Sequence, residues 1–206
     1  MRRPAWYPDW TGETCIIVAS GPSASGVDLE PARGKVKCIA VNSSWKLAPW
    51  ADALYACDFK WWEENNGCPE FKGLKMSISP RARNADWGIR YVKCLRGDDR
   101  INLGPAGTIG WGGNSGFGAL NLAAHFGATK IILVGYDMNI KAGTHWHGDH
   151  PLPLSNPKLS TIGRWRRAID AGAKVLAANS IKVINCSAIS SLTAYPKMTL
   201  TEALDA

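Results

Sequence analysis

The sequence predicts an α/β domain of three layers built on a mainly parallel sheet. Short apolar runs recur along the chain, helical segments lie between them, and 206 residues suit one domain with its own core. The runs are unbroken by polar residues, as expected of strands covered on both faces by helices.

The runs are Cys15-Ile16-Ile17-Val18-Ala19, Val36 to Val41, Ala53-Leu54-Tyr55-Ala56, Ile131-Ile132-Leu133-Val134 and Ile181 to Ile184. Between the third and fourth, a helix is predicted to open at Asn114-Ser115, with Phe117, Leu120, Ala123 and Ala124 on one side and Gly127 capping its end. It delivers the chain into the fourth run. A second helix takes Ser160 or Thr161 as its cap, carries Ile162, Trp165, Ile169, Ala173 and Leu176 at three- and four-residue steps, and ends at Asn179 before the last run. This strand-helix-strand rhythm predicts a Rossmann-like fold in which ligands bind beyond the carboxyl ends of the strands. No internal repeat appears, so 1–206 reads as a single nucleotide-binding domain.

Composition narrows the function classes. Hydrophobic residues at 46% and charged residues at 20% exclude a disordered or fibrous chain. No stretch reaches the roughly 18 to 20 apolar residues of a membrane span, and Met1-Arg2-Arg3-Pro4 leads into Trp6 and Tyr7 without an apolar signal region. A soluble cytoplasmic protein is expected. The six cysteines form no C-x-x-C pair, which suits a reducing compartment. A formal charge of +7 favours a polyanionic partner or a phosphorylated ligand. Arg81, Arg83, Arg90, Lys93, Arg96 and Arg100 cluster, but Asp86, Asp98 and Asp99 interleave, so a solvated face and a nucleic-acid surface are both open. Ten tryptophans are enough to pack a core and also line a groove.

The strand ends carry the candidate binding residues. Ser20-Gly21-Pro22-Ser23 follows the first run, where Gly21 permits close backbone approach and the serines and free amides can face a phosphate; an ordinary tight turn is the alternative. Asn42 after the second run can read a base or ribose edge, and Asp58 stands after the third; each could instead cap a helix. Asn114-Ser115-Gly116 places amides at the positive end of the first helix, a seat for phosphate. Gly135-Tyr136-Asp137 follows the fourth run, with Asp137 able to bind hydroxyls, orient an imidazole or hold a cation.

From Met138 to Pro157 the chain has glycines and prolines but no helical or strand period, as expected of a lid that closes over ligand. Within it, Thr144-His145-Trp146-His147-Gly148-Asp149-His150 gathers three of the four histidines. The string matches the T-H-x-H-x-D-H pattern of metallo-β-lactamases, but no histidine follows His150 to complete a two-metal site. General bases or phosphate-facing imidazoles, a one-metal site with Asp149 or Asp137, and plain polar decoration remain open.

The Gly-Pro-Ser turn, Asn42, the run from Asn114-Ser115-Gly116 through Gly135-Tyr136-Asp137, and the closing Val183-Ile184-Asn185-Cys186-Ser187 with Ser190-Ser191-Leu192 resemble bacterial sialyltransferases that use CMP-sialic acid. They also resemble the related 6-hydroxymethylpterin diphosphokinase-like family, and suggest a phage member. The resemblance implies that Ser20, Gly21, Asn42 and Ser115 contact a nucleotide and that His147 or His150 deprotonates an acceptor hydroxyl. It implies a nucleotide-dependent transferase, a glycosyltransferase with a CMP-type nucleotide-sugar donor before all, acting on a nucleic acid or glycan without need of a metal. The alternatives are an ATP-dependent diphosphate transfer with magnesium held by Asp58 and Asp137, and a non-catalytic nucleotide-binding protein.

Overall fold

A computed structural model of the chain describes residues 3–206, so Met1 and Arg2, which open the N-terminal reading above, lie outside the described residues. In chain order the elements are β1 (Thr14–Val18), β2 (Lys37–Val41), β3 (Ala53–Tyr55), α1 (Phe59–Glu64), β4 (Leu74–Ser77), α2 (Pro80–Asn84), β5 (Arg90–Tyr91), β6 (Lys93–Leu95), β7 (Thr108–Gly110), α3 (Ser115–His125), β8 (Lys130–Val134), α4 (Leu159–Ala178), β9 (Lys182–Asn185) and α5 (Leu200–Asp205). Seven strands form one sheet in the order β5-β4-β3-β2-β1-β8-β9. Every pairing in it is parallel. The five apolar runs are β1, β2, β3, β8 and β9, and the three-layer Rossmann-like expectation holds.

Alternation along the strands builds two cores. From β1, Cys15 and Ile17 point into one, with Phe117, Leu120 and Ala123 of α3 and Ile169 and Leu176 of α4. Ile16 and Val18 point into the other, with Trp61 and Trp62 of α1, Ala82 of α2 and Leu200 and Ala203 of α5. The apolar residues on both sides of β1 are fully buried, which is why its sequence shows no alternation.

Three expectations change. The first helix is not one-sided: every residue of α3 from Ser115 to Ala124 is buried. Its far side is covered by the segment that carries β6 and β7, a separate two-stranded parallel ladder. Asn121 holds that segment, accepting from the amides of Asn102 and Gly110 at 3.0 Å each and donating to the Asn102 carbonyl at 2.7 Å. A fully buried amide needs these partners. The second helix begins earlier than expected, at Leu159 after Lys158; Thr161 lies inside it, its hydroxyl turned back to the Lys158 backbone. Finally, β4 and β5 extend the sheet past β3 where no strand was expected.

The clustered basic residues Arg81, Arg83, Arg90, Lys93, Arg96 and Arg100 are all exposed, Arg81 lying over the Phe59 ring and Arg100 paired with Asp98. All six cysteines are free thiols. Among the described residues no helix is long and apolar enough to cross a membrane.

Candidate functional site

The chain runs from β1 outward through β2 to β5, then returns to start β8 on the other side of β1. The loops leaving β1 and β8 therefore diverge, opening a crevice at the carboxyl edge of the sheet. A cavity of about 590 Å³ occupies it. Ser20, Gly21, Asn42, Asp58, Asn114, Ser115, Gly116, Gly135 and Asp137 all border it, so residues far apart in sequence meet at one edge. Pro22 and Ser23 do not border it.

The crevice is shaped by two glycines. Gly135 has φ +73°, and a Cβ there would lie 2.4 Å from the Ala19 carbonyl oxygen. The Gly21 amide donates to the Gly135 carbonyl at 2.9 Å, tying the two diverging loops together.

Several expected ligand contacts are instead committed to the scaffold. The Ser20 hydroxyl lies 3.3 Å from the Val41 carbonyl and 3.3 Å from the Ser44 hydroxyl, beneath the loop. Asp137 is 2% exposed and accepts from the Ser23 amide at 2.8 Å and from the Ser23 hydroxyl. Both of its oxygens thus brace the turn after β1. The Ser115 hydroxyl accepts from the Cys57 amide at 3.1 Å, fastening the end of β3 to the start of α3. Ser20, Ser115 and Asp137 mark the site by position more than by free polar atoms, and Ser23 braces it from outside the cavity.

Other groups remain open to the cleft. Asn114 caps α3 through the Phe117 amide at 2.9 Å, leaving the amides of Ser115 and Gly116 without an intrahelical acceptor at the positive end of the helix. Asn42 enters a short 3₁₀ turn with φ +51°, a conformation its short amide side chain tolerates, instead of capping it. Asp58 precedes α1, makes no capping bond and borders the cleft. The residue is exposed, yet partial burial of its carboxyl by surrounding protein raises it above the usual carboxylate range.

The segment 138–157 has no helix or strand and forms the outer wall. It is pinned by Trp146, whose backbone amide donates to the Ser20 carbonyl at 3.0 Å and whose indole N–H donates to Ser44 at 3.1 Å. Asn139 anchors the start by donating to the Ile189 carbonyl at 2.7 Å. Met138, Leu154, Ile162 and Trp165 add apolar surface to the lining of the cleft. The helical period assigned Ile162 and Trp165 to a core face, and nothing in their spacing distinguishes a cavity wall from a core. Of the ten tryptophans, Trp61 and Trp165 border the cleft.

His145 and His150 border the cleft as well, whereas His147 borders a neighbouring depression of about 300 Å³, which His150 also reaches. His147 is therefore displaced from the place expected of a base in the cleft. Burial lowers the pKa of all three imidazoles. His145 falls to about 4, by burial first and then by His150 and His147, against the opposing Ser20 carbonyl. The rings are thus neutral near pH 7. Asp149 accepts from the Thr144 hydroxyl through one oxygen, Asp137 is bound by Ser23 through both, and the ring cluster itself contains neither carboxylate.

The chain matches no family model, no curated protein and no solved structure.

Proposed function

We propose that the protein is a nucleotide-dependent transferase that holds a phosphorylated nucleoside in this cleft, a nucleotide sugar being the favoured donor. The observation that carries the reading is the cavity at the divergence of β1 and β8, where the open amides of α3 meet Asn42 and Asp58. The amides of Ser115 and Gly116 would take the phosphate, with each negative charge stabilised by about 0.3 to 1 kcal/mol at the helix end. Asn42 and Asp58 offer donors and acceptors to the base and ribose, and the apolar lining with Trp165 offers a stacking surface.

In glycosyl transfer the bond from the anomeric carbon to phosphate oxygen breaks, and its electron pair leaves on the nucleotide. The acceptor oxygen forms the new bond and gives up its proton. Helix amides aimed at the phosphate stabilise the charge that develops there. A neutral imidazole on the cleft wall can receive the proton, and the lining favours His150 over His147. Magnesium-dependent diphosphate transfer has less support, because Asp137 is already committed to Ser23.

Thermal-shift screening against CMP, UDP, GDP and ATP, with and without magnesium, tests the reading. A ligand at 100 times its Kd adds about 2.7 kcal/mol. Asn42→Gly, which keeps the positive φ, and Asp58→Asn should weaken that ligand roughly tenfold or more while the apo protein keeps its Tm. No shift with any phosphorylated nucleoside would overturn the reading. Binding without turnover, given a range of hydroxyl acceptors, would reduce it to a nucleotide-binding protein.

A further inference from the structure

Among the described residues, the lid histidines form a cluster with metal-ligand geometry. One ring nitrogen from each of His145, His147 and His150 lies within 4.8 Å of the other two. The ring centroids are 5.1, 4.5 and 4.8 Å apart, and His145 and His147 stack at 12°. The Nε2 atoms of His145 and His147 are both buried without a hydrogen-bond partner. Buried polar atoms are rarely left so, and two on adjacent stacked rings call for a shared acceptor of their lone pairs.

The backbone beneath the cluster is fixed. His150 is clamped by Asn156, which accepts from its amide at 2.8 Å and donates to its carbonyl at 3.0 Å. Trp146, between the other two ligands, is held to Ser20 and Ser44. The Thr144 hydroxyl closes the loop onto Asp149. Seven consecutive residues, 144–150, are thus held at both ends and in the middle.

We propose that His145, His147 and His150 bind one divalent transition-metal ion of the zinc class, seated in the wall between the cleft and the depression beside it. Three imidazoles with no carboxylate in the cluster suit zinc, copper, nickel or cobalt and disfavour magnesium and calcium. Tetrahedral binding with metal–nitrogen bonds of about 2.0 to 2.1 Å sets the nitrogens about 3.3 Å apart. The widest pair then closes by about 1.5 Å, within reach of side-chain rotation. Three protein ligands leave a fourth position for water or a substrate oxygen, as in metal sites that perform chemistry. With the metal bound, a metal-held water, in place of the His150 ring whose lone pair the metal would occupy, would take the acceptor's proton; that use rests on the transfer reading, and metal uptake does not.

The test uses full-length protein purified without a histidine tag, stripped with chelator and titrated with zinc or cobalt alone. One equivalent should bind, with intense visible absorption from tetrahedral cobalt, and magnesium should not compete. His147→Ala, whose ring lies outside the cleft, should weaken zinc by more than the roughly 10- to 100-fold that losing a supporting hydrogen bond costs. The His145→Ala/His147→Ala/His150→Ala variant should bind no metal while its far-UV circular dichroism stays native. Zinc uptake no greater than that of the triple variant, or uptake unchanged by His147→Ala, would overturn the proposal. Nucleotide affinity, measured separately without metal, reports on the cleft reading, so either can fail alone.

Discussion

A methyl group at position 21 would stand 2.5 Å from the Gly135 carbonyl oxygen and 2.7 Å from Cγ of Asp137, both parts of the braced strand ends. Gly21→Ala should therefore destabilise the protein by about 1 to 3 kcal/mol, as overpacking does, and displace the loop that borders the cleft; urea unfolding measures the first effect and nucleotide titration the second. Asp137 gives a sharper contrast, because its buried carboxylate accepts two bonds from Ser23. Charge-assisted bonds contribute about 1.5 to 3 kcal/mol. Asp137→Ala should lose stability on that order, and Asp137→Asn, which keeps one acceptor, should lose less. A group used in chemistry would give the reverse, with normal unfolding and lost turnover in the Asn variant. Residue type at the strand ends announces where the site lies. It does not announce which way Ser20, Ser115 or Asp137 turns, because their partners at Val41, Cys57 and Ser23 come from other strands and loops.

The lid is the element on which a ligand would act most visibly. Trp146 anchors its middle, and Trp146→Phe removes the indole bond to Ser44 while keeping an aromatic ring. Loss of one such bond is about 0.5 to 1.5 kcal/mol, so local opening, and with it proteolytic cleavage within 138–157, should rise roughly 2- to 10-fold. Saturating nucleotide should slow cleavage in both forms; equal rates with and without ligand would show that the segment does not close on it. That 138–157 is irregular was legible because it lacks any period over twenty positions, and the central strands because burial on both faces leaves unbroken apolar runs. Other elements carry no such mark. In β4 only Met76 and Ser77 are fully buried, and β5 has two residues, one of them an exposed arginine. Both are strands because β3 supplies a parallel template for β4 and β4 for β5, an interaction absent from their local sequence.

At the scale of the whole molecule, the parallel sheet sets the site, and the covering segments add their own part to the pH response that the imidazoles of 138–157 also give. His125 at the end of α3 is where two of those segments meet: the N-terminal segment brings the Tyr7 ring, edge-on with centroids 6.5 Å apart, and the charge of Arg3, and the β6–β7 segment brings the backbones of Asn102 and Thr108. Burial, aided by Arg3, lowers its pKa below the usual 6.5, against the opposing pull of the Asn102 and Thr108 carbonyls. A histidine with a depressed pKa in the folded state is neutral in both states at higher pH, so its full contribution is present above about 6.5. As pH falls below that value the unfolded chain takes up the proton first, and stability is lost until the folded pKa is reached. With chelator present to keep metal off the lid, wild-type Tm should therefore fall more steeply between about pH 7.5 and 5 than that of His125→Gln, which has no proton to gain there. Each 1 kcal/mol corresponds to about 2 to 4 °C for a chain of this size, within reach of calorimetry. Parallel slopes for the two proteins would mean that water reaches the imbedded ring, and that the N-terminal segment and the β6–β7 ladder do not seal α3 as their contacts imply.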